Sequence, residues 1–176
     1  QTSDGGYIIT GINNTSAEDN VMLIKTDSQG NEEWNQSFGG NEGIDEGYSV
    51  QQTADGGYII AGITTSFGNG GSDVWLIKTN SLGDSLWTNT FGTAGNDNAH
   101  RDEGHSVEQT TDGGYIIAGL TYSIGNGADD VWLIKTDSTG NEEWNRTIGG
   151  SSYDRAYSID KTTDGGFIIT GRTRSF

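Results

Sequence analysis

Short apolar stretches separated by glycine-rich turns recur along this chain in a fixed order. The most apolar, Asp73-Val-Trp-Leu-Ile-Lys-Thr79, places Val74 and Leu76 on one side of an extended strand and Trp75 and Ile77 on the other. Gly57-Tyr-Ile-Ile-Ala-Gly-Ile-Thr64 is rich in β-branched and aromatic residues and sets Tyr58 and Ile60 opposite Ile59, Ala61 and Ile63. Tyr48-Ser-Val-Gln-Gln-Thr53 precedes it, and the paired glycines of Asp55-Gly-Gly supply the positive φ that a tight hairpin needs. Leu86-Trp-Thr-Asn-Thr-Phe91 closes the set across Asn80-Ser-Leu-Gly83, a loop with glycine at a left-handed position. No helical periodicity is present, and turns come every eight to twelve residues, a spacing that predicts an all-β, antiparallel chain.

The four strands form a repeating unit. Asp-Gly-Gly starts at Asp4, Asp55, Asp112 and Asp164, spaced by 51, 57 and 52 residues. Leu-Ile-Lys-Thr starts at Leu23, Leu76 and Leu133, and Trp followed five residues on by Gly stands at Trp34, Trp87 and Trp144. The unit is about 53 residues long. It divides the chain into a partial unit over 1–40, whole units over 41–93 and 94–150, and a partial unit over 151–176. The second and third strands are apolar on both sides. A sandwich strand with one face in water does not need this, whereas a sheet stacked between two others does. The fourth strand sets Trp34 and Phe38 against Glu33, Asn35 and Ser37, the polar outer edge that discourages edge-to-edge pairing. The first carries Gly47, Gly104 or Ala156 near its start, small enough for a crowded inner rim. Together these features predict a β-propeller of four-stranded antiparallel blades, with a parallel solenoid well behind because its coils are shorter.

At about 53 residues per blade the chain holds roughly 3.3 repeats, and closed propellers need about four to eight. A ring is therefore expected to be completed by further repeats of a longer polypeptide or by other copies of the chain, a homo-oligomer; two copies supply about 6.6 repeats. Composition then narrows the partners. Nine Lys and Arg stand against 25 Asp and Glu, a formal charge of −16, which repels nucleic-acid backbones and anionic lipid and leaves cations and basic surfaces as fitting partners. The chain has no cysteine, so disulfides, thiolate metal sites and cysteine nucleophiles are excluded. No apolar run is long enough for membrane insertion.

The strings Asp45-Glu-Gly-Tyr-Ser-Val50, Asp55-Gly-Gly-Tyr58, Ala61-Gly-Ile-Thr64, Asp73-Val-Trp-Leu-Ile-Lys78, Gly83, Trp87 and Phe91-Gly92 resemble the SBBP family of seven-bladed β-propeller repeats. The resemblance covers essentially the whole chain. It departs from the family in Asp-Gly-Gly, where Asp-Gly-Asn is usual, and in Gly92-Thr93, where Gly39-Gly40 and Gly149-Gly150 keep the family's pair. The resemblance implies a prokaryotic extracellular or cell-surface scaffold or protein-interaction module rather than a reaction. Its expected partners are further repeats, cell-surface proteins or glycans.

Three sets of residues are candidates for chemistry. Asp45, Asp102 and Asp154 share one repeat position before the first strand and could converge on Ca²⁺ near one end of a central channel; the simpler role, accepting backbone N–H bonds in that connection, takes precedence. The longest connection, Thr93 to Glu103, is unrepeated and holds His100 and Arg101, with His105 following where other units have Tyr48 and Tyr157. His100, Asp102 and His105 could ligate a metal or contact a ligand, against the simpler reading of a solvated insertion, and no ligand spacing there is diagnostic of a metal or cofactor. The five tryptophans could stack sugars, but their fixed place in the unit assigns them to packing first. No nucleophile sits beside a base in a recognisable motif, so the chain reads as a non-enzyme, with a lectin-like, Ca²⁺-dependent glycan binder as the alternative.

Overall fold

The computed structural model describes residues 1–15, 18–94 and 101–175. Among them every regular element is a strand, and no helix is long and apolar enough to cross a membrane. β1 (Tyr7–Thr15), β2 (Glu18–Thr26) and β3 (Glu32–Phe38) form a first sheet of three strands. β4 (Asp45–Gln52), β5 (Tyr58–Thr64), β6 (Asp73–Thr79) and β7 (Ser85–Phe91) form the second, in sequence order. β8 (Asp102–Gln109), β9 (Tyr115–Thr121), β10 (Asp130–Thr136) and β11 (Glu142–Ile148) form the third in the same order. β12 (Arg155–Lys161) and β13 (Phe167–Arg172) pair as a fourth. All pairings within the sheets are antiparallel.

The turns follow from their glycines, with one refinement. In Asp55-Gly-Gly only the first glycine is left-handed, at φ +83°. The second is required for space: a Cβ on Gly57 would stand 2.1 Å from the Thr79 carbonyl oxygen and 2.6 Å from Lys78 Nζ. Asp55 completes the turn by accepting hydrogen bonds from the Gly57 N–H at 3.0 Å and the Thr53 hydroxyl at 2.5 Å.

The two apolar faces expected of the middle strands are each covered by a different neighbour. Ile60, Trp75 and Ile77 of the second sheet pack on Val21 and Leu23 of the first. Ile59, Ala61, Val74 and Leu76 pack the other way, on Val107, Tyr115, Ile117, Trp132 and Ile134 of the third. The third sheet turns Ile116 and Ala118 to Ala156 and Ile159 of the fourth. β5, β6 and β9 are buried at every residue, and Trp75 and Trp132 are each 4% exposed. Sheets therefore stack face to face in chain order, with apolar interlayers that supply the main stabilisation.

Each sheet's first strand is the closest to the sheet before it. A Cβ on Gly47 would fall 2.2 Å from Thr10 Oγ1, and one on Gly104 would fall 2.9 Å from Val74 Cγ1, which accounts for the small residues there. Immediately after, each of these strands bulges: the register shifts between Gly47 and Ser49, between Gly104 and Ser106, and between Ala156 and Ser158. The outer tryptophans reach forward to the next sheet. Trp34 meets Tyr58 with ring centroids 5.8 Å apart, and Trp87 meets Tyr115 at 5.9 Å.

Candidate functional site

The residues singled out from the sequence gather where one sheet hands over to the next. Asp102 N–H donates to the Ser72 carbonyl at 2.8 Å, and Asp154 N–H donates to that of Asp129 at 2.6 Å, so the chain entering the third and the fourth sheet is stitched to the residue just before the third strand of the previous one. This stitching, with pairing of Asp45 to Thr64 and Asp102 to Thr121, makes the aspartates the first residues of β4 and β8 rather than residues of the connection; Asp154 directly precedes β12.

The three aspartates are buried, each at 2% exposure or less, and are hydrogen-bond acceptors rather than a converging group. Asp45 accepts from the Thr64 hydroxyl at 2.5 Å, the Ser66 hydroxyl at 2.7 Å and the Gly40 N–H at 2.9 Å. Asp102 accepts from the Ser123 hydroxyl at 3.0 Å, and Asp154 from the Ser175 hydroxyl at 2.6 Å and the Gly150 N–H at 3.0 Å. The hydroxyls of Ser175 and Thr173 hold Asp154 down to about 2. Asp102 moves the other way, because burial outweighs its hydrogen bonds and raises it above the ordinary carboxylate value.

Sequence reasoning missed a second aspartate at two of the three handovers. Asp73 and Asp130, three residues before the repeated leucine, are each 1% exposed. One oxygen of each holds the Gly-Asn-Gly linker, accepting from Asn69 N–H and from Asn126 N–H at 2.7 Å. The other lies over the glycine that ends the outer strand: a Cβ on Gly92 would stand 1.6 Å from Asp73 Oδ1 and 3.1 Å from Asp102 Oδ2. At Gly149 the same construction gives 2.0 Å to Asp130 Oδ1 and 2.8 Å to Asp154 Oδ2. Burial first, and then the charge of Asp102, push Asp73 up. The available signal was the recurrence of an acid at this position in two units and of Asn20 in the other.

Arg101 and His105 are brought together, through residues that sequence reasoning did not name. Arg101 pairs with Glu103 at 3.3 Å and with buried Asp129 at 2.8 Å, and Arg155 of β12 also pairs with Asp129. His105 occupies the β8 bulge, its Nε2 2.8 Å from Glu103 Oε2 and its Nδ1 2.7 Å from the Ala156 carbonyl oxygen of the next sheet. Burial opposes ionisation of Glu103, but the hydrogen bond from His105 and the charge of Arg101 hold it below its ordinary value. The His105 ring lies between Tyr48 at 5.5 Å and Tyr157 at 5.7 Å, one bulge residue from each of three successive sheets. Asp102 points away from this network into the handover, so it does not join His105; His100 lies outside the described residues. Among the described residues no three His, Cys, Asp or Glu side chains gather as a metal-ligand group.

The lysine of Leu-Ile-Lys-Thr is the other unforeseen polar residue. Lys25, Lys78 and Lys135 are 6% exposed or less, and each donates to the carbonyl of the following threonine at 2.8 Å. Each also pairs with the aspartate of its Asp-Gly-Gly turn, at 2.9 Å for Asp4, 2.9 Å for Asp55 and 3.0 Å for Asp112. Glu33 and Glu143 give Lys25 and Lys135 a second carboxylate, at 2.8 Å and 2.9 Å, where the middle unit has Leu86.

No protein-family model matches the chain. It is 28% identical over 143 residues to the regulatory protein FlaEY of Caulobacter vibrioides, in an alignment that covers 72% of this chain and spans 14% of that protein's length.

Proposed function

We propose that the chain is an arc of a β-propeller acting as a non-catalytic scaffold and protein-interaction module at the cell surface or outside the cell, its ring completed by further repeats or by other copies of itself. The observation that carries this reading is the burial of both faces of the second and third sheets by their neighbours in chain order, with the first strand of each sheet innermost in the contact. Radial stacking of four-stranded units has this geometry. The resemblance to SBBP repeats supports both the ring and the compartment. A regulatory role, as in the description of the Caulobacter relative, is compatible with a module that works through protein contacts.

The aromatic row Tyr48, His105 and Tyr157 favours a second reading, a glycan-binding propeller, because Tyr48 and Tyr157 are half-exposed and could stack on a sugar. Two measurements test the proposal. Electron microscopy of the particle, with its mass from light scattering, is expected to reveal a closed ring of four to eight blades; a stable monomeric open arc would rule out closure by self-association. A glycan panel at fixed calcium is expected to give no saturable binding, and binding abolished by Tyr157→Ala would replace the scaffold with the glycan binder.

A further inference from the structure

We propose that the aspartate pairs Asp73–Asp102 and Asp130–Asp154, one at each of two successive sheet handovers, are binding sites for a divalent hard cation of the calcium class, one cation per pair.

The pairs stand apart from ordinary capping aspartates because part of each is buried without a partner. Asp73 Oδ1 and Asp130 Oδ1, the oxygens that lie over Gly92 and Gly149 beside the second aspartate, accept no hydrogen bond, although both residues are 1% exposed. Leaving an ionised carboxylate oxygen buried and unpaired is costly, and placing a second carboxylate beside the same glycine adds repulsion. Among the described residues no lysine or arginine pairs with any of the four aspartates; the two arginines at the third handover are taken by Asp129. A divalent ion neutralises a pair of carboxylates. The donors in reach are all oxygens, carboxylates supplemented by the Ser123 and Ser175 hydroxyls, which is the preference of a hard cation and not of a thiophilic metal.

The first handover shows that shape alone does not require the acid. There Asn20 stands where Asp73 and Asp130 stand, its Oδ1 1.6 Å from a Cβ built on Gly39, with Asp45 Oδ2 2.9 Å from the same point. A neutral amide fills the position with the same approach to glycine. The acid at the other two handovers therefore adds charge and not fit, and the geometry does not depend on whether the ring closes.

Calorimetric titration of CaCl2 into the EDTA-stripped chain at neutral pH is expected to give two sites per chain and a calcium-dependent rise in Tm of several degrees. Asp73→Asn and Asp130→Asn should each leave one site, the double variant none, and Asn20→Asp should raise the number to three. Because asparagine already occupies the equivalent position in the first unit, these variants are compatible with the fold, and far-UV circular dichroism checks them. No heat and no shift in Tm with calcium would overturn the proposal, as would stoichiometry unchanged in the double variant. A calcium-independent chain whose Tm climbs as pH is lowered from neutrality would overturn it in favour of a proton shared within each pair.

Discussion

A single leucine makes the three buried lysines unequal. Lys25 and Lys135 each face two carboxylates, whereas Lys78 has Asp55 alone because Leu86 replaces the glutamate. Removing Asp55 leaves a buried ammonium with only the Thr79 carbonyl as its partner. Asp55→Ala is therefore expected to give the largest loss of the three in urea unfolding, about 1–2 kcal/mol, because the exposure of Asp55 screens the pair but its removal leaves the buried ammonium without a carboxylate. Asp4→Ala and Asp112→Ala should each lower the urea midpoint less than Asp55→Ala does, because Glu33 and Glu143 remain as substitute carboxylates. Equal losses at all three positions would mean that the glutamates contribute nothing.

At the scale of the element, two glycines in equivalent loops separate local strain from contact between sheets. Gly30 and Gly83 share a left-handed φ, +87° and +84°. A Cβ on Gly30 would meet nothing within 4 Å, but one on Gly83 would stand 2.7 Å from Trp34 Cζ3 of the preceding sheet. Gly30→Ala should cost about 1 kcal/mol of backbone strain. Gly83→Ala should add roughly 1–3 kcal/mol of overpacking against the indole. Thermal unfolding of the two variants measures the difference directly, and a matching pair of values would remove the Trp34 contact from the account of stability. This pairing also marks the limit of what could be read from the chain. The left-handed glycine was legible because turn chemistry is local. So were the two faces of the middle strands, since alternation assigns Val74 and Leu76 against Trp75 and Ile77 before any partner is known. The tryptophan over Gly83, the carboxylates over Gly92 and the lysine under Gly57 were not. Their partners come from another strand or an adjacent sheet, ten to about fifty residues away, and no periodicity encodes which side chain arrives. For the same reason Asp45, Asp102 and Asp154 were visible as a recurrent column, but that Asp45 faces an asparagine while Asp102 and Asp154 face a second aspartate was not.

For the whole molecule, the two groups of aspartates pull stability in opposite directions with pH. Asp112 is held near about 2 by Thr110, the Gly114 N–H and Lys135, and Asp55 near about 2 by Thr53 and Lys78 against the effect of burial. Their folded values lie below the unfolded one, so the stability they contribute is complete above about pH 4 and disappears as pH falls towards about 2. Asp73 and Asp102 are raised by burial, so in cation-free protein their contribution is greatest below about pH 4 and is lost as pH rises through their folded values. The urea midpoint of the EDTA-stripped chain is therefore expected to pass through a maximum in weak acid. Asp73→Asn should flatten the limb on the neutral side and leave the acid limb unchanged. A midpoint that climbs steadily to neutrality, identical in the two proteins, would contradict the assignment.

The extra residue in the first strand of the second, third and fourth sheets has an evolutionary consequence. Tyr48, His105 and Tyr157 are skipped by the register of their ladders, so what stands there is not constrained by cross-strand pairing. Each successive sheet can carry a different side chain at that point without shifting the register of its ladder, and His105 stands there between two tyrosines. A duplicated unit would inherit the same ladder together with one letter that the ladder does not fix, and a row of such letters offers a way for stacked copies of the same unit to acquire different specificities.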